Sequence, residues 1–408
     1  MKILIGASKI AKEYILNSNE EIACYDNDRR KWGKDIVDGN KIINFERLQQ
    51  LIKNTNYEII IATKCESALY FVNDICKDSQ HKVSRLINGI LYPLDLKKIP
   101  VYSIDRETDE KIKLDGYKKI RDFYKENGIW EAYEHACLFI EMKEESLLMP
   151  EVGGIELTNY CNLSCPNCPT PNCKRKKGYM EGNIFEECFK YITPSIKDRF
   201  SLHGLGEPLL HPNFLEYLER VINIGRPVIV STNGLLLSED IIERLFSIMN
   251  KINNCMIYVS FHSNKSVQNW NNCTEWIKKN PENKVELYGQ ILEHNSKQAL
   301  NWLGEIGITE PSCNPYIRFI TSHSFAGNVE SRRQLYTDIE VKNRFRNCYY
   351  NLNNVVNVAW DGRLKTCCLD SELTGEIGNI YNIKGIKLGY EPYELCRNCD
   401  PDWTSNYQ

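Results

Sequence analysis

Three cysteines within one short stretch carry the densest chemistry of this 408-residue chain: Cys161, Cys165 and Cys168, spaced C-x3-C-x2-C. Five more crowd its last part: Cys348, Cys367, Cys368, Cys396 and Cys399. Thiolates bind metal ions and iron–sulfur clusters, and three on one tight loop can hold three irons of a [4Fe–4S] cube. The fourth iron then has no protein ligand, and an open metal position is what a catalytic site keeps. The same triplet also fits zinc, although no fourth ligand stands at ordinary finger spacing unless Cys173 serves. The scattered Cys24, Cys65, Cys76, Cys137, Cys188, Cys255, Cys273 and Cys313 read as small buried hydrophobes, and Cys173 leans the same way.

Seventeen cysteines also bear on the compartment. Met1–Ile5 runs straight into a strand pattern with no basic segment and long apolar stretch, so no signal peptide is expected. A cytoplasmic location follows, where excess thiol reads as metal binding and not as a disulfide framework. The net charge of −3 gives no reason to expect a nucleic-acid partner. No apolar run approaches the ~18 residues of a membrane span.

The elements around the cysteines predict an α/β fold. Residues 1–95 read as a small α/β unit, with strands at Lys2–Ile5, Ile22–Tyr25 and Ile59–Ala62 and a helix at Ile10–Leu16. Residues 96–150 read as a helical connector, with helical spacing at Tyr117–Tyr124 and Ile129–Met142; Pro150 and Gly153-Gly154 mark its end. From 151 to 335 a strand–helix rhythm predicts a partial parallel barrel. Its strands are Gly154–Thr158, Phe200–His203, Pro227–Ser231, Met256–Phe261, Val285–Ile291 and Tyr316–Thr321, with Ser238 as an N-cap between two of them. In such barrels chemistry collects at the C-terminal strand ends, where the first cysteine loop sits. Residues 340–408 are short and Cys-rich, too small to stand on core burial alone, so a metal staple is expected.

The stretch Gly154-Ile-Glu-Leu-Thr-Asn-Tyr-Cys161 through Cys168 resembles the signature strand and loop of radical S-adenosylmethionine (SAM) enzymes. The resemblance continues through His203-Gly204-Leu205-Gly206-Glu207-Pro208, Ser231-Thr232-Asn233-Gly234, Ser260 and Gly289-Gln290-Ile291, and His323–Val329 is similar beyond the sixth strand. It implies a SAM-binding [4Fe–4S] cluster on Cys161, Cys165 and Cys168. It also implies SAM contacts from Gly204, Gly206, Glu207, Ser231, Asn233, Ser260, Gly289 and Ile291. Cleavage of SAM to a 5′-deoxyadenosyl radical and hydrogen abstraction from a substrate would follow. Asn167 departs from the apolar residue often found before the third cysteine. The run Val358–Arg363 with Gly362-x4-Cys367 and Gly378-Asn379-Ile380 resembles the auxiliary-cluster (SPASM/twitch) module. That implies a second [4Fe–4S] cluster on Cys348, Cys367, Cys396 and Cys399, with Cys368 able to replace Cys367.

The turn Gly6-Ala7-Ser8-Lys9-Ile10-Ala11, with Asp26 twenty residues on, is a weak dinucleotide-type motif that lacks its second glycine. With Cys24–Asp28, Lys31–Lys34 and Gly39–Lys41 it resembles Rossmann-type modules of bacterial polysaccharide proteins, some of which handle nucleotide sugars; a docking or structural unit is the plainer reading. The basic run Lys174–Lys177 reads as a solvated face or as a seat for substrate phosphate. The expectation is an enzyme acting on a carbohydrate or nucleotide sugar by dehydrogenation, epimerisation or rearrangement, fed by a low-potential donor such as flavodoxin or ferredoxin. The alternatives are a maturase of a ribosomally made peptide and a non-catalytic zinc or redox-sensing protein.

Overall fold

A computed structural model describes residues 1–26, 31–53, 57–63, 67–76, 81–87, 89–95, 106–320, 325, 329, 338, 341–342, 345, 348–389 and 391–399. Cys65 and most of His323–Val329 lie outside them.

The N-terminal sheet contains β1 (Lys2–Ile5), β2 (Ile22–Tyr25), β3 (Asp35–Val37), β4 (Asn40–Ile43), β5 (Glu58–Ile61), β6 (Lys82–Ile87) and β7 (Ile90–Leu94), in the order β3-β4-β2-β1-β5-β6-β7. Strands β4, β2, β1, β5 and β6 are parallel, and the order reverses between β1 and β5, as in an open doubly wound sheet. The apolar runs of β1 and β5 are explained by cover on both faces. Ile3, Ile5, Ile59 and Ile61 pack against α2 (Phe45–Ile52) and α3 (Ser67–Cys76). Leu4, Ile60 and Ala62 pack on the other face against Ala11 of α1 (Lys9–Leu16).

Two helices follow, α4 (Arg106–Glu126) and α5 (Trp130–Glu145). Helix α4 is much longer than its apolar spacing predicts, because charged residues occupy its buried face. Arg106 donates to the carbonyls of Leu388 and Gly389, both at 2.9 Å. Glu110 meets Lys143 of α5 at 2.7 Å, with both side chains buried. Tyr117 hydrogen-bonds Glu151, at the start of the next sheet.

That second sheet holds β8 (Glu151–Ile155), β9 (Phe200–Ser201), β10 (Val228–Thr232), β11 (Met256–Ser260), β12 (Glu286–Leu292), β13 (Ile317–Ile320), β14 (Val355–Val358), β15 (Arg363–Lys365) and β16 (Glu376–Asn379). Its order is β13-β12-β11-β10-β9-β8-β14-β15-β16. The six strands β8–β13 are parallel, separated by α6 (Gly182–Phe189), α7 (Phe214–Asn223), α8 (Glu239–Met249), α9 (Asn264–Lys279) and α10 (Ser296–Glu305). These alternating strands and helices form the expected α/β partial parallel barrel. Ser238 caps α8, accepting from the Ile241 amide at 3.3 Å. The strand expected at Phe200–His203 pairs over two residues only, because the chain turns at His203 into the glycine segment.

Two expectations are corrected. Gly153-Gly154 is not a boundary but lies inside β8, where a Cβ at Gly153 would stand 2.2 Å from Val355 Cγ1. The Cys-rich tail is not a free-standing unit held by metal alone. Strand β14 pairs in parallel with β8, and Val356, Val358, Leu364, Ile380 and Ile383 join the barrel's own core. No helix among the described residues is long and apolar enough to cross a membrane.

Candidate active site

The first cysteine loop leaves the sheet just beyond β8 and is clamped at its base. Thr158 Oγ1 donates to the Gly178 carbonyl at 2.7 Å, and Asn159 exchanges bonds with Lys176 and Gly178 at 3.0 and 2.9 Å. Inside the loop the Cys168 amide turns back to the Cys165 carbonyl at 3.2 Å. The three half-buried thiols are near enough to act on one another. Burial pushes Cys165 up to about 11, helped by the charges of Cys168 and Cys161. Burial raises Cys161 too, against hydrogen bonds from the Leu163 backbone and Asn233. Binding a cluster there must therefore expel protons.

Next to the loop, the Gly204–Glu207 segment crosses beneath it. Gly206 has φ +81°, and a Cβ there would stand 2.4 Å from the Tyr160 carbonyl oxygen. A Cβ at Gly204 would stand 2.7 Å from Glu156 Cβ. Only glycine lets this segment pass so close to the cysteine loop. Glu207 is buried and its carboxyl is raised by that burial. It accepts from Thr232 Oγ1 at 2.7 Å and from the Leu209 and Asn233 amides at 3.2 and 2.7 Å. Asn233 reaches Asn162 of the loop at 2.7 Å. The sequence-predicted Gly204, Gly206, Glu207 and Asn233 are thus brought to the cysteine loop.

Strands β11 and β12 carry the other predicted contacts. Ser260 Oγ donates to Gln290 Oε1 at 3.0 Å on the lumen face, and half-buried Ser231 lies on β10. Gly289 and Ile291 turn their side-chain face toward the helices. A Cβ at Gly289 would collide with the Phe261 ring at 2.2 Å, and Ile291 is fully buried in the core. A ligand in the lumen meets their backbone at most; the side chain of that strand facing it is Gln290.

Two neighbours were not read from the sequence. His262 Nδ1 lies 3.4 Å from Cys165 Sγ, and burial lowers this imidazole to about 4. Glu156, the residue after β8, is held by Arg175 at 2.7 and 2.8 Å, both side chains buried. Arg175 belongs to the basic run, so that run is not one solvated face: Lys174, Lys176 and Lys177 are exposed, while Arg175 is neutralised inside. Only position in the strand signature could have flagged Glu156; nothing local flags His262.

The second cysteine group gathers in space as well. Cys396 is pushed up by burial and then by the charges of Cys367, Cys399 and Cys348. Cys367 is pushed well up, first by its hydrogen bond with the Cys368 thiol and then by burial; Cys368 is pushed down, first by that hydrogen bond, and also hydrogen-bonds Tyr350. Lys365, almost wholly buried, donates to the Asp370 carbonyl at 2.8 Å. Its charge acts on both Cys367 and Cys368. Among the scattered cysteines, Cys24, Cys76, Cys188, Cys255 and Cys273 are buried as expected, Cys137 is half-buried, and Cys313 is exposed. Half-buried Cys173 points to the Ser371 carbonyl at 3.4 Å.

Among the described residues no three His, Cys, Asp or Glu side chains converge closely enough to hold one metal ion. A cube asks for something else, since it offers a separate iron to each thiolate. The triplet's thiols, close enough to feel one another's charge, and the glycine segment packed against their loop fit a SAM-binding cluster.

In the N-terminal unit, Gly6 has φ +104°. Asp26 does not stand free for a ribose. Its Oδ2 accepts from the Ala7 amide at 2.8 Å and pairs with Lys31 at 3.1 Å, bracing the turn.

The radical SAM superfamily model matches residues 155–282. A Pyrococcus furiosus protein named as a tungsten-containing aldehyde ferredoxin oxidoreductase cofactor-modifying protein is 24% identical over 264 residues, 61% of this chain and 65% of that one. An S-adenosyl-L-methionine-dependent 2-deoxy-scyllo-inosamine dehydrogenase of Niallia circulans is 32% identical over 96 residues, 22% of this chain and 38% of the relative. The chain therefore spans less than two thirds of either relative's length. The crystal structure of BtrN with AdoMet and 2-DOIA overlaps with a TM-score of 0.34 at 17% identity, over 57% of this chain and 80% of that one. With the family model lying on the strand, cysteine loop and glycine segment just described, residues 155–282 form a radical SAM domain, of a family whose members use a [4Fe–4S] cluster and SAM.

Proposed function

We propose that the chain is a radical SAM enzyme that acts on a carbohydrate or nucleotide sugar, by dehydrogenation, epimerisation or rearrangement. The observation that carries the catalytic part is the Cys161–Cys165–Cys168 loop set against the Gly204–Glu207 segment at the C-terminal ends of parallel strands. Cys161, Cys165 and Cys168 hold the cluster, and Gly204 and Gly206 let their backbone pack against the cysteine loop, so that this segment can present its backbone to the SAM methionyl end. Glu207 lies at that segment, its carboxylate oriented by Thr232 and Asn233. Ser231, Asn233, Ser260 and Gln290 line the cavity and orient the rest of SAM. The bound cluster supplies the very low-potential electron that cleaves a sulfonium. The protein's part is to position SAM and substrate and to exclude water from the lumen.

A second cluster of the twitch type is held by Cys348, Cys367, Cys396 and Cys399, and it either staples the tail or takes an electron from the substrate. Cys367 is preferred to Cys368 because it acts directly on Cys396. A low-potential donor such as flavodoxin or ferredoxin reduces the first cluster, in the cytoplasm. The carbohydrate assignment is supported by the Niallia circulans relative, named as a dehydrogenase of 2-deoxy-scyllo-inosamine. The N-terminal unit serves as a docking or structural domain, since Asp26 is engaged within its own turn.

Anaerobic purification with iron and sulfide analysis tests this reading. About eight irons per chain are expected for two cubes. With dithionite and SAM the protein should form 5′-deoxyadenosine; zinc with little iron would remove the enzyme reading. Turnover of a peptide in place of any nucleotide sugar would move the substrate to the maturase class.

A further inference from the structure

The basic run after the cysteine triplet holds no preformed anion seat, since its buried member is neutralised by Glu156. A different cation looks into the lumen. Strands β11, β12 and β13 are in register, with Tyr258 beside Tyr288, Ser260 beside Gln290, and Gln290 beside Arg318. Paired residues of a sheet share a face. Val259, Leu287 and Ile291 join the helix-packed core, so Tyr258, Tyr288, Gln290 and Arg318 face the other way.

The guanidinium of Arg318 lies 3.8 Å from the Tyr288 ring centre and 5.6 Å from that of Tyr258. Its Nη1 donates to the Tyr258 hydroxyl at 3.0 Å. The platform beneath is itself fixed. The Tyr288 hydroxyl bonds Glu286 at 3.1 Å, and Glu286 pairs with Arg199 at 2.6 Å. That carboxylate is therefore engaged elsewhere, and Arg318 has no carboxylate partner among the described residues. Stacking holds a guanidinium in place without cancelling its charge. One of five N–H donors is used here, and the remaining edge matches two oxygens of a phosphate or carboxylate. Arg318 is exposed; its backbone is level with Gln290, and its guanidinium lies one pleat further in, at the level of Tyr258 and Tyr288.

We propose that Arg318, set on the Tyr258–Tyr288 platform, anchors an oxyanion, a phosphate or carboxylate, of a molecule bound in the lumen. This rests on the reading that the lumen holds SAM and a substrate. Two sources share that chemistry: the SAM carboxylate and a phosphate of the substrate.

The test uses the anaerobically reconstituted full chain, wild type and Arg318→Gln, with Arg318→Lys as a variant that keeps charge and loses the fork. Iron content reports whether each is intact. Equilibrium binding is measured for SAM alone, then for inorganic pyrophosphate and UDP with SAM present. Pyrophosphate or UDP affinity falling at least tenfold in Arg318→Gln, with SAM binding unmoved, supports the proposal and makes the substrate phosphate the source. A tenfold loss confined to SAM supports it with the SAM carboxylate as the source. Affinities all within twofold of wild type, or no phosphate binding with SAM affinity unmoved, overturn it. If wild type has its irons and cleaves SAM in that case, the enzyme reading stands while the anchor falls. If wild type takes up no iron and no SAM, both fall.

Discussion

The two cysteine groups are solved differently by the same chain. The first draws its three thiols from one loop, and the fold's work is to clamp that loop and to pack the Gly204–Gly206 segment closely against it. The second draws its thiols from residues 348 to 399, and the fold's work is to bring distant pieces together around a buried lysine, Lys365. A site with three local ligands keeps a corner for a reactant; one with four or five leaves none. On the proposed reading, the first group is arranged for something to arrive and the second for something to be enclosed.

The widest separation should appear when one ligand is removed from each group. Cys165→Ala should lower SAM cleavage at least about a thousandfold, an effect of roughly 4 kcal/mol on the reaction barrier. Cys396→Ala should instead lower iron from about eight to about four per chain while keeping the electron paramagnetic resonance signal of the first cluster. Equal loss of both signals in both variants would erase the distinction. Next comes the buried Arg175–Glu156 pair. Arg175→Met leaves Glu156 buried without its partner and should cost about 3–5 kcal/mol in denaturant unfolding. A cost below 1 kcal/mol would mean that Glu156 is hydrated.

The lysine gives a smaller, sharper difference. A buried ammonium favours the more negative, reduced cluster, so Lys365→Met should lower the midpoint of the second cluster and leave the first unmoved. A tenfold change in its reduced-to-oxidised ratio, about 59 mV for one electron, is the expected size in a redox titration. Acid should separate the regions least. Burial lowers His135 of α5 and His211 of the barrel below their ordinary value of 6.5. Once unfolded, they take up protons as pH falls below about 6.5, and stability should then drop by up to about 1.4 kcal/mol per pH unit for each. Above pH 6.5 they contribute no slope. The tail from residue 340 has no histidine, so its iron content should not follow that slope.

Much of the first site was legible because its signals are local. The cysteine spacing, the glycines and the strand alternation all sit within short windows, and the structure brings Gly204, Gly206, Glu207 and Asn233 to the loop. Face assignment was not legible on β12, where Gly289 serves the Phe261 ring and Gln290 takes the lumen. Alternation tells that two faces exist, not which one meets the helices. Helix α4 was under-read because Arg106 and Glu110, which propensity rules place in solvent, are buried through partners far away in the chain. His262 and Arg318 were invisible for a related reason: each matters through a neighbour on another element.

Strand β14 beside β8 gives the chain a history as well as a shape. During synthesis, β8 emerges about two hundred residues before the strand that completes its edge. At about 5–20 residues per second that is a wait of roughly 10–40 s. The first cysteine loop hangs from that unfinished edge throughout. A cell that loads iron into this protein is therefore expected to do so on the finished chain, after release, when the edge beneath the loop has closed.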